Sequence, residues 1–163
     1  MKKVILILSV FIGMSAWAIQ GGEIGNGKVL RVPLLGVELT YPKNWSSLDM
    51  EYIVSLSSPA SVENKEEKAN YTVSFLSLED ILTQEDLKHY VENNFSYLTW
   101  QETELKGIFG FRGFTKEINS LENQTIQEFY LKKSGEVIRI SYKMNTEYLP
   151  DIFAIHQSLT WLP

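Results

Sequence analysis

The stretch from Val37 to Trp45 constrains the fold most, because it combines a strand pattern, a proline that ends the strand and a large aromatic residue. Val37, Leu39 and Tyr41 alternate with polar residues, which is the period of a half-buried β-strand. Pro42 has no backbone N–H to give to a sheet, so the strand should end there. Lys43 and Asn44 are compatible with a turn. Trp45 comes directly after them, and its size predicts that it anchors the core.

The first 18 residues have the three parts of a secretory signal peptide. A basic start at Met1–Lys3 precedes a mainly apolar run at Val4–Met14, and Ala16–Ala18 has the small-x-small form of a cleavage site. The apolar run is shorter than the roughly 20 residues that span a bilayer. We therefore expect cleavage after Ala18 and no membrane span in the remaining chain.

Removal of residues 1–18 would leave 145 residues, which is the size of one ordinary domain. Residues 19–28 are rich in glycine and predict a flexible lead-in, and residues 29–163 predict the folded domain. The formal net charge of −5 becomes −7 without the two signal lysines, which argues against general nucleic-acid binding. The chain has no cysteine for disulfides, metal thiolates or lipid attachment, which excludes a bacterial lipoprotein. Together with the predicted signal peptide, this leads us to expect a periplasmic or secreted protein.

Hydrophobic periodicity along the rest of the chain predicts an α+β fold. Apolar alternation indicates strands in Val29–Leu35, Tyr52–Leu56, Tyr71–Phe75, Thr99–Lys106, Phe111–Ile118, Thr125–Lys132 and Glu136–Met144. A capping box at Thr83–Asp86 starts a helix whose apolar stripe reaches Leu98, and a second helix starts near Pro150. Short turns between the strands predict antiparallel pairing, and two one-sided helices need a sheet to cover.

The strand that ends in Tyr-Pro-Lys-x-Trp, from Tyr41 to Trp45, resembles the opening of the PsbP-like group, which includes PsbP, DcrB and Mog-type proteins. A charged loop, the helix from Thr83, a Gly-x-x-Gly turn at Gly107–Gly110, a hairpin and a closing helix follow in the matching order over Val29–Leu162. The resemblance implies an αβα sandwich around a mainly antiparallel sheet and a role in binding other proteins. It implies no catalytic residues and no cofactor. DcrB-like proteins are often lipoproteins, and this chain lacks the cysteine for that.

Three sets of residues are candidates for catalytic or metal chemistry. Glu85, Asp86 and His89 lie within one helical turn, but on an exposed helix they read as a solvated face, and no metal site is predicted. Glu102 and Glu104 alternate on one strand face and would suit a carboxylate-dependent hydrolase, although a solvent-facing strand explains them as well. His156 borders the apolar stripe of the second helix, which favours a half-buried structural role.

The segment from Gly107 to Phe114 carries more aromatic residues than a turn needs. We predict that Phe109, Phe111, Arg112 and Phe114 form a partner-binding surface, because exposed aromatic rings beside an arginine suit a protein contact. Phe111 and Phe114 have an odd spacing and cannot share one face of a strand. The alternative is a sheet covered on both faces, in which the rings are buried.

The sequence therefore predicts an exported, non-enzymatic binding or accessory protein of the PsbP-like type, whose partner is another protein. A periplasmic chaperone or carrier of an apolar peptide or lipid is an alternative, and the Glu102–Glu104 hydrolase is another. A cleft with converging carboxylates would favour the enzyme, an apolar groove would favour the carrier, and a flat aromatic patch would favour the accessory role.

Overall fold

The computed structural model describes residues 26–60, 68–78, 80–115, 125–132, 135–143 and 147–163. The described strands are β1 (Lys28–Val32), β2 (Val37–Tyr41), β3 (Ser46–Met50), β4 (Ile53–Ser57), β5 (Asn70–Leu76), β6 (Leu98–Leu105), β7 (Ile108–Thr115), β8 (Thr125–Leu131), β9 (Val137–Lys143) and β10 (Thr160–Trp161). The helices are α1 (Gln84–Asn94) and α2 (Leu149–Ser158), and a short 3-10 turn spans Pro33–Leu35. The predicted signal peptide, most of the lead-in, most of the charged loop after Ala60 and the end of the Phe111–Ile118 strand lie outside the described residues.

The strands form two antiparallel sheets. The larger sheet has seven strands in the order β3-β4-β5-β9-β8-β7-β6, and the smaller has three in the order β1-β2-β10. Neighbours along the chain pair through short connections in β3–β4, β6–β7 and β8–β9, as predicted for antiparallel strands. The predicted α+β class with a mainly antiparallel sheet is confirmed.

The central part of the seven-stranded sheet is buried on both faces, with one hydrophobic cluster on each. α1 packs over β6, β7 and β8 on one face, while α2 packs on β2 and helps to close the other. The cluster under α1 contains Ile81, Leu87, Val91, Phe111, Phe129 and Val137. The larger cluster between the two sheets and α2 includes Leu39, Trp45, Leu56, Tyr71, Tyr130, Ile140, Ile152 and Ile155. This is the layering that an αβα sandwich requires.

The start of α1 is set by local hydrogen bonds. The Thr83 hydroxyl accepts from the backbone N–H of Asp86 at 3.2 Å, and the Asp86 carboxylate accepts from the backbone N–H of Thr83 at 2.8 Å. This reciprocal capping box confirms the predicted helix start. The predicted end is wrong, because the helix stops at Asn94 and Leu98 opens β6. Leu98 fits the helical spacing of apolar residues by coincidence, because it is a buried residue of β6 and does not belong to the helix.

Trp45 is buried, as predicted, with 1% of its surface exposed. Its indole N–H donates to Asp151 in the first turn of α2 at 3.2 Å, and its ring meets Tyr148 edge-on at 6.0 Å. The residue therefore ties the end of the β2 turn to the closing helix.

The structure corrects one predicted turn and adds one strand that was not predicted. The turn before β7 consists of Lys106 and Gly107, both with positive φ, and Gly110 lies within the strand. The predicted turn from Gly107 to Gly110 was too long because glycine was taken as a turn residue where it serves close packing. β3 was not predicted at all, and it forms the edge of the large sheet. Among the described residues, no helix combines the length and the apolar character needed to cross a bilayer.

Candidate functional site

β7 carries all four residues predicted to bind a partner, and alternation sends them to two faces. Phe111 is 4% exposed and belongs to the cluster under α1, with Phe109 edge-on against it at 5.1 Å. Phe114 packs against the opposite cluster. Phe109 and Phe114 are half-buried, so the structure does not bring these rings together as one exposed aromatic patch. Phe111 is a core residue because both faces of the sheet are covered.

Arg112 faces the same side of the sheet as Phe114 and meets a buried carboxylate. It lies directly opposite Glu128 in the β7–β8 pairing, and its Nε donates to Glu128 Oε1. The Glu128 side chain has no exposed surface, whereas about a third of the Arg112 side chain is exposed. Burial by itself lowers the pKa of Arg112, but Glu128 together with Tyr142 and Tyr130 outweighs it, so the Arg112 pKa is raised. The Arg112 guanidinium is therefore paired with Glu128 inside the protein and is not a free surface group beside the phenylalanine rings.

Further donors complete the surroundings of Glu128. The Tyr130 hydroxyl donates to Oε2 at 2.8 Å, and the Tyr142 hydroxyl donates to Oε1 at 3.1 Å. His156 on α2 brings its Nε2 within 3.4 Å of Oε2. A carboxylate has four lone-pair positions, so these contacts together with the one from Arg112 can satisfy it. Burial and the Glu128 charge raise the pKa of both tyrosines, which keeps their hydroxyl groups protonated as donors.

His156 links this network to α2 and to Tyr71. The Tyr71 hydroxyl lies 2.9 Å from His156 Nδ1, and the Tyr71 ring stacks on Tyr142 at 5.7 Å. Burial lowers the pKa of His156 despite the opposing pull of Glu128, so the imidazole is neutral at pH 7. The neutral tautomer that fits both contacts carries its proton on Nε2, where it faces Glu128, and accepts from Tyr71 at Nδ1. The resulting network braces α2 against the sheet.

A cleft of about 540 Å³ opens where the two sheets approach each other near the end of the chain. Its walls are Pro33, Leu34, Gly36, Ile108, Lys132, Glu136, Trp161, Leu162 and Pro163. Six of these nine residues are apolar and two are charged, so the surface suits an apolar group with one or two polar atoms. We call this feature the terminal cleft.

Polar contacts hold the walls of the terminal cleft in place. Lys132 Nζ pairs with Glu136 Oε2 at 3.4 Å across the β8–β9 connection, and the Lys132 side chain is largely buried. Gly36 has a positive φ of 61°, and a Cβ at this position would overlap the Lys132 ammonium group. The Trp161 indole N–H donates to the carbonyl of Leu105 at 2.7 Å. The cleft is therefore lined by the Lys132–Glu136 ion pair and by an indole ring that is hydrogen-bonded to the backbone.

The other candidate residues lie on exposed faces. Glu102 and Glu104 are both exposed on β6, the edge strand opposite β3. On α1, Asp86 is engaged in the cap, while Glu85 and His89 form an exposed pair at 3.3 Å. Across the described ranges of the chain, no group of three or more histidine, aspartate and glutamate side chains is arranged to hold a metal ion.

Solved structures provide the comparison for this chain. A solution structure of cyanobacterial PsbP from Synechocystis sp. PCC 6803 matches with a TM-score of 0.55 and 13% identity over 86% of this chain and 96% of that chain. A crystal structure of a protein from Bacteroides thetaiotaomicron VPI-5482 matches with a TM-score of 0.50 and 11% identity over 84% of this chain. The match spans 49% of the Bacteroides chain, about half its length. No protein-family model and no curated protein sequence matches.

These likenesses establish the fold. The protein has a PsbP-like fold, as the Tyr-Pro-Lys-x-Trp resemblance implied, and the identities of 11% and 13% carry the comparison no further than the fold.

Sequence reasoning missed the Glu128 network and the terminal cleft. A signal for Glu128 does exist, because the carboxylate sits between Ile126 and Tyr130 on the inward face of a predicted strand. A charge on an apolar strand face calls for a buried partner, and Arg112 on the neighbouring strand was already singled out. The cleft left no comparable signal, since its walls come from four separate parts of the chain.

Proposed function

We propose that the protein is an exported, non-enzymatic accessory protein that binds a segment of another protein in the terminal cleft. The cleft carries the proposal, because its volume is typical of ligand sites and its walls combine six apolar residues with the charges of Lys132 and Glu136. Lys132 and Glu136 offer a donor and an acceptor to the polar groups of a bound segment. The PsbP-like fold and the signal-like start of the chain support an exported accessory role.

Partner binding by Phe109, Phe111, Arg112 and Phe114 stays a prediction. Ile108, at the start of the same strand, lines the terminal cleft. A partner seated in the cleft would therefore lie near the turn at Gly107, whereas the Phe109 ring faces the opposite side of the sheet. Phe111 would contribute through packing, because its ring is in the core.

The test compares two exposed apolar residues. Leu34 lines the cleft and is 66% exposed, while Val29 lies outside the cleft and is 64% exposed. Leu34→Glu should abolish capture of a partner from the extract in which the protein works, because it places a charge on an apolar wall. Val29→Glu is the matched control and should capture the same partner as the wild type. Equal capture by both variants would reject the cleft as the binding site.

A carrier of an apolar peptide or lipid is the second candidate, and the apolar walls of the terminal cleft favour it. A fluorescent fatty acid and an apolar fluorescent peptide are suitable probes for this role. Saturable binding that Leu34→Glu weakens and Val29→Glu leaves intact would support the carrier. Absence of saturable binding, with protein capture retained, would favour the accessory role.

Export is tested separately by mass spectrometry of the protein recovered outside the cytoplasm. We expect the recovered chain to begin at Ile19, directly after the Ala16–Ala18 pattern. Recovery of a chain that still carries Met1 or Lys2 would contradict cleavage.

A further inference from the structure

β3 is an open edge of the seven-stranded sheet. It is the terminal strand next to β4, and all five of its residues are exposed. A strand in this position directs one row of backbone N–H and C=O groups away from the sheet. At the other end of the sheet, β6 displays Glu102 and Glu104, the kind of charged side chains that discourage pairing with another strand. β3 has a single charged residue, Asp49, and neither lysine nor proline.

The β3 edge also carries exposed apolar side chains on one face of the sheet. Leu48 lies opposite Ser55, and Met50 lies opposite Ile53, so Leu48, Met50 and Ile53 share one face. These three side chains are 55%, 50% and 39% exposed, and we call them the apolar strip. The face of the strip is the one that α1 covers farther along the sheet, over β6, β7 and β8. Within the part of the chain that the structure describes, no strand pairs with the outer edge of β3, and the apolar strip beside it is exposed.

The sequence of β3 is complementary to itself in one antiparallel register. A two-fold axis at Leu48 sets Leu48 opposite its own copy and sets Ser47 opposite the partner's Asp49. Met50 then lies opposite the partner's Ser46, so no like charges face each other directly. In the same arrangement the two apolar strips meet and form one continuous apolar surface. We propose that β3 is a homodimer interface, at which a second copy of this chain adds its own β3 and joins the two seven-stranded sheets.

The proposed dimer should be weak and sensitive to salt. A five-residue strand contact is smaller than the about 800 Å² per partner of a standard stable interface. Both copies also carry the same negative net charge, which opposes their approach at low ionic strength. We therefore expect the weight-average mass to rise with protein concentration from the micromolar to the millimolar range, and to rise further with added salt.

Disulfide formation tests the register, because the natural chain has no cysteine. Directly opposed residues of an antiparallel pair have Cβ atoms about 4.5–5.5 Å apart, close to the range for a disulfide after slight adjustment. The Leu48→Cys variant of the exported protein should therefore form an intermolecular disulfide under mild oxidation. Asp49→Cys is the control, because its own copy lies on the diagonal at about 7–8 Å. Equal cross-linking rates for the two variants would overturn the proposed register.

A charge exchange at the same residue tests the dimer without a covalent bond. Leu48→Lys and Leu48→Glu should each sediment as monomers, since each sets a like charge against its copy, and an equimolar mixture should recover the dimer. Leu82→Lys makes the same change at another exposed leucine and should associate like the wild type. A wild type that stays monomeric throughout, or a Leu48→Lys variant that associates like the wild type, would overturn the proposal. Far-UV circular dichroism of each variant checks that the fold is retained.

Discussion

Glu128 places a carboxylate where solvent does not reach, and the contacts around it explain how the fold tolerates the charge. Arg112, Tyr130 and Tyr142 donate hydrogen bonds to its two oxygens, and His156 Nε2 lies within 3.4 Å of Oε2. A buried charge that loses its counter-ion is strongly destabilising, whereas the intact pair itself contributes little net stability. The network therefore matters most when a single member is removed.

We expect Arg112→Met to lower the free energy of unfolding by about 3–5 kcal/mol, because Glu128 would stay buried without its cation. Glu128→Gln removes the charge but keeps an acceptor oxygen for the tyrosine hydroxyls. The double variant should therefore be less destabilised than the sum of the two single variants. Urea unfolding of all four proteins measures this coupling, and additivity to within about 0.5 kcal/mol would contradict it.

Trp45 provides a second prediction at the residue scale. Trp45→Ala should cost about 3–5 kcal/mol, since it removes a buried ring and the hydrogen bond to Asp151. Tyr97→Ala is the matched control, because that aromatic side chain is exposed and should change stability by less than about 0.5 kcal/mol. A loss below about 1 kcal/mol for Trp45→Ala would show that this ring does not anchor the core.

At the scale of elements, the β6–β7 hairpin has two glycines with different roles. Gly107 has a positive φ of 84° in the turn, and a Cβ there would meet no atom within 4 Å. Gly110 lies in β7, where a Cβ would overlap the carbonyl oxygen of Phe129 and come within 2.6 Å of the Tyr130 ring. The first glycine is needed for backbone conformation, and the second is needed for close packing of β7 on β8.

Alanine substitution should separate these two roles. Gly107→Ala should cost about 1 kcal/mol, which is the penalty for a left-handed residue with a Cβ. Gly110→Ala should cost more, about 1–3 kcal/mol, because the backbone of β8 has to move. Thermal unfolding monitored by circular dichroism ranks the two variants. A larger loss for Gly107→Ala would mean that turn conformation, and not packing, dominates the stability of this hairpin.

The elements that local sequence determines are the ones that could be predicted. β2 ends at Tyr41, directly before Pro42, as expected, and Thr83 caps α1. Both features depend on neighbouring residues in the sequence. β3 could not be predicted, since Ser46–Met50 is exposed throughout and lacks an alternating apolar pattern. β3 forms because it pairs with β4, and the secondary-structure propensity of its own residues gives no sign of that pairing. Phe111 was misplaced for a similar reason, because its burial depends on α1 covering the sheet.

The candidate sites were harder to predict than the elements. The terminal cleft joins Gly36, Ile108, Lys132 and Trp161, which are far apart in the chain and meet only after both sheets have formed. Arg112 was predicted to contact a partner protein, and its pairing with Glu128 was not predicted, because Glu128 lies 16 residues away on the next strand. Long-range contacts of this kind follow from strand order and register, and one sequence read in order does not contain them.

At the scale of the whole molecule, α2 contacts the large sheet through a titratable residue, His156. His156 on α2 faces Glu128, Tyr71 and Tyr142 on the sheet, and Arg112 and Lys106 lie close enough to affect its charge. Burial is the main cause that lowers the pKa of His156 in the folded state; the Glu128 charge opposes this shift, and the Arg112 and Lys106 charges add to it. The unfolded chain therefore binds more protons than the folded one between the folded pKa and about 6.5. Stability should be full above about pH 6.5 and should decrease as the pH falls below it.

This pH dependence has a matched pair of tests, because the chain has two histidines. We expect the free energy of unfolding in urea to decrease between about pH 7.5 and pH 5.5, a range above the usual titration of exposed carboxylates. His156→Gln should flatten this decrease, since glutamine can keep a donor toward Glu128 but does not titrate. His89→Gln on the exposed face of α1 should leave the decrease as in the wild type. If His156→Gln shows the wild-type slope, then protonation of another group releases α2, and the neutral His156 bridge between α2 and Glu128 does not control the acid sensitivity of the fold.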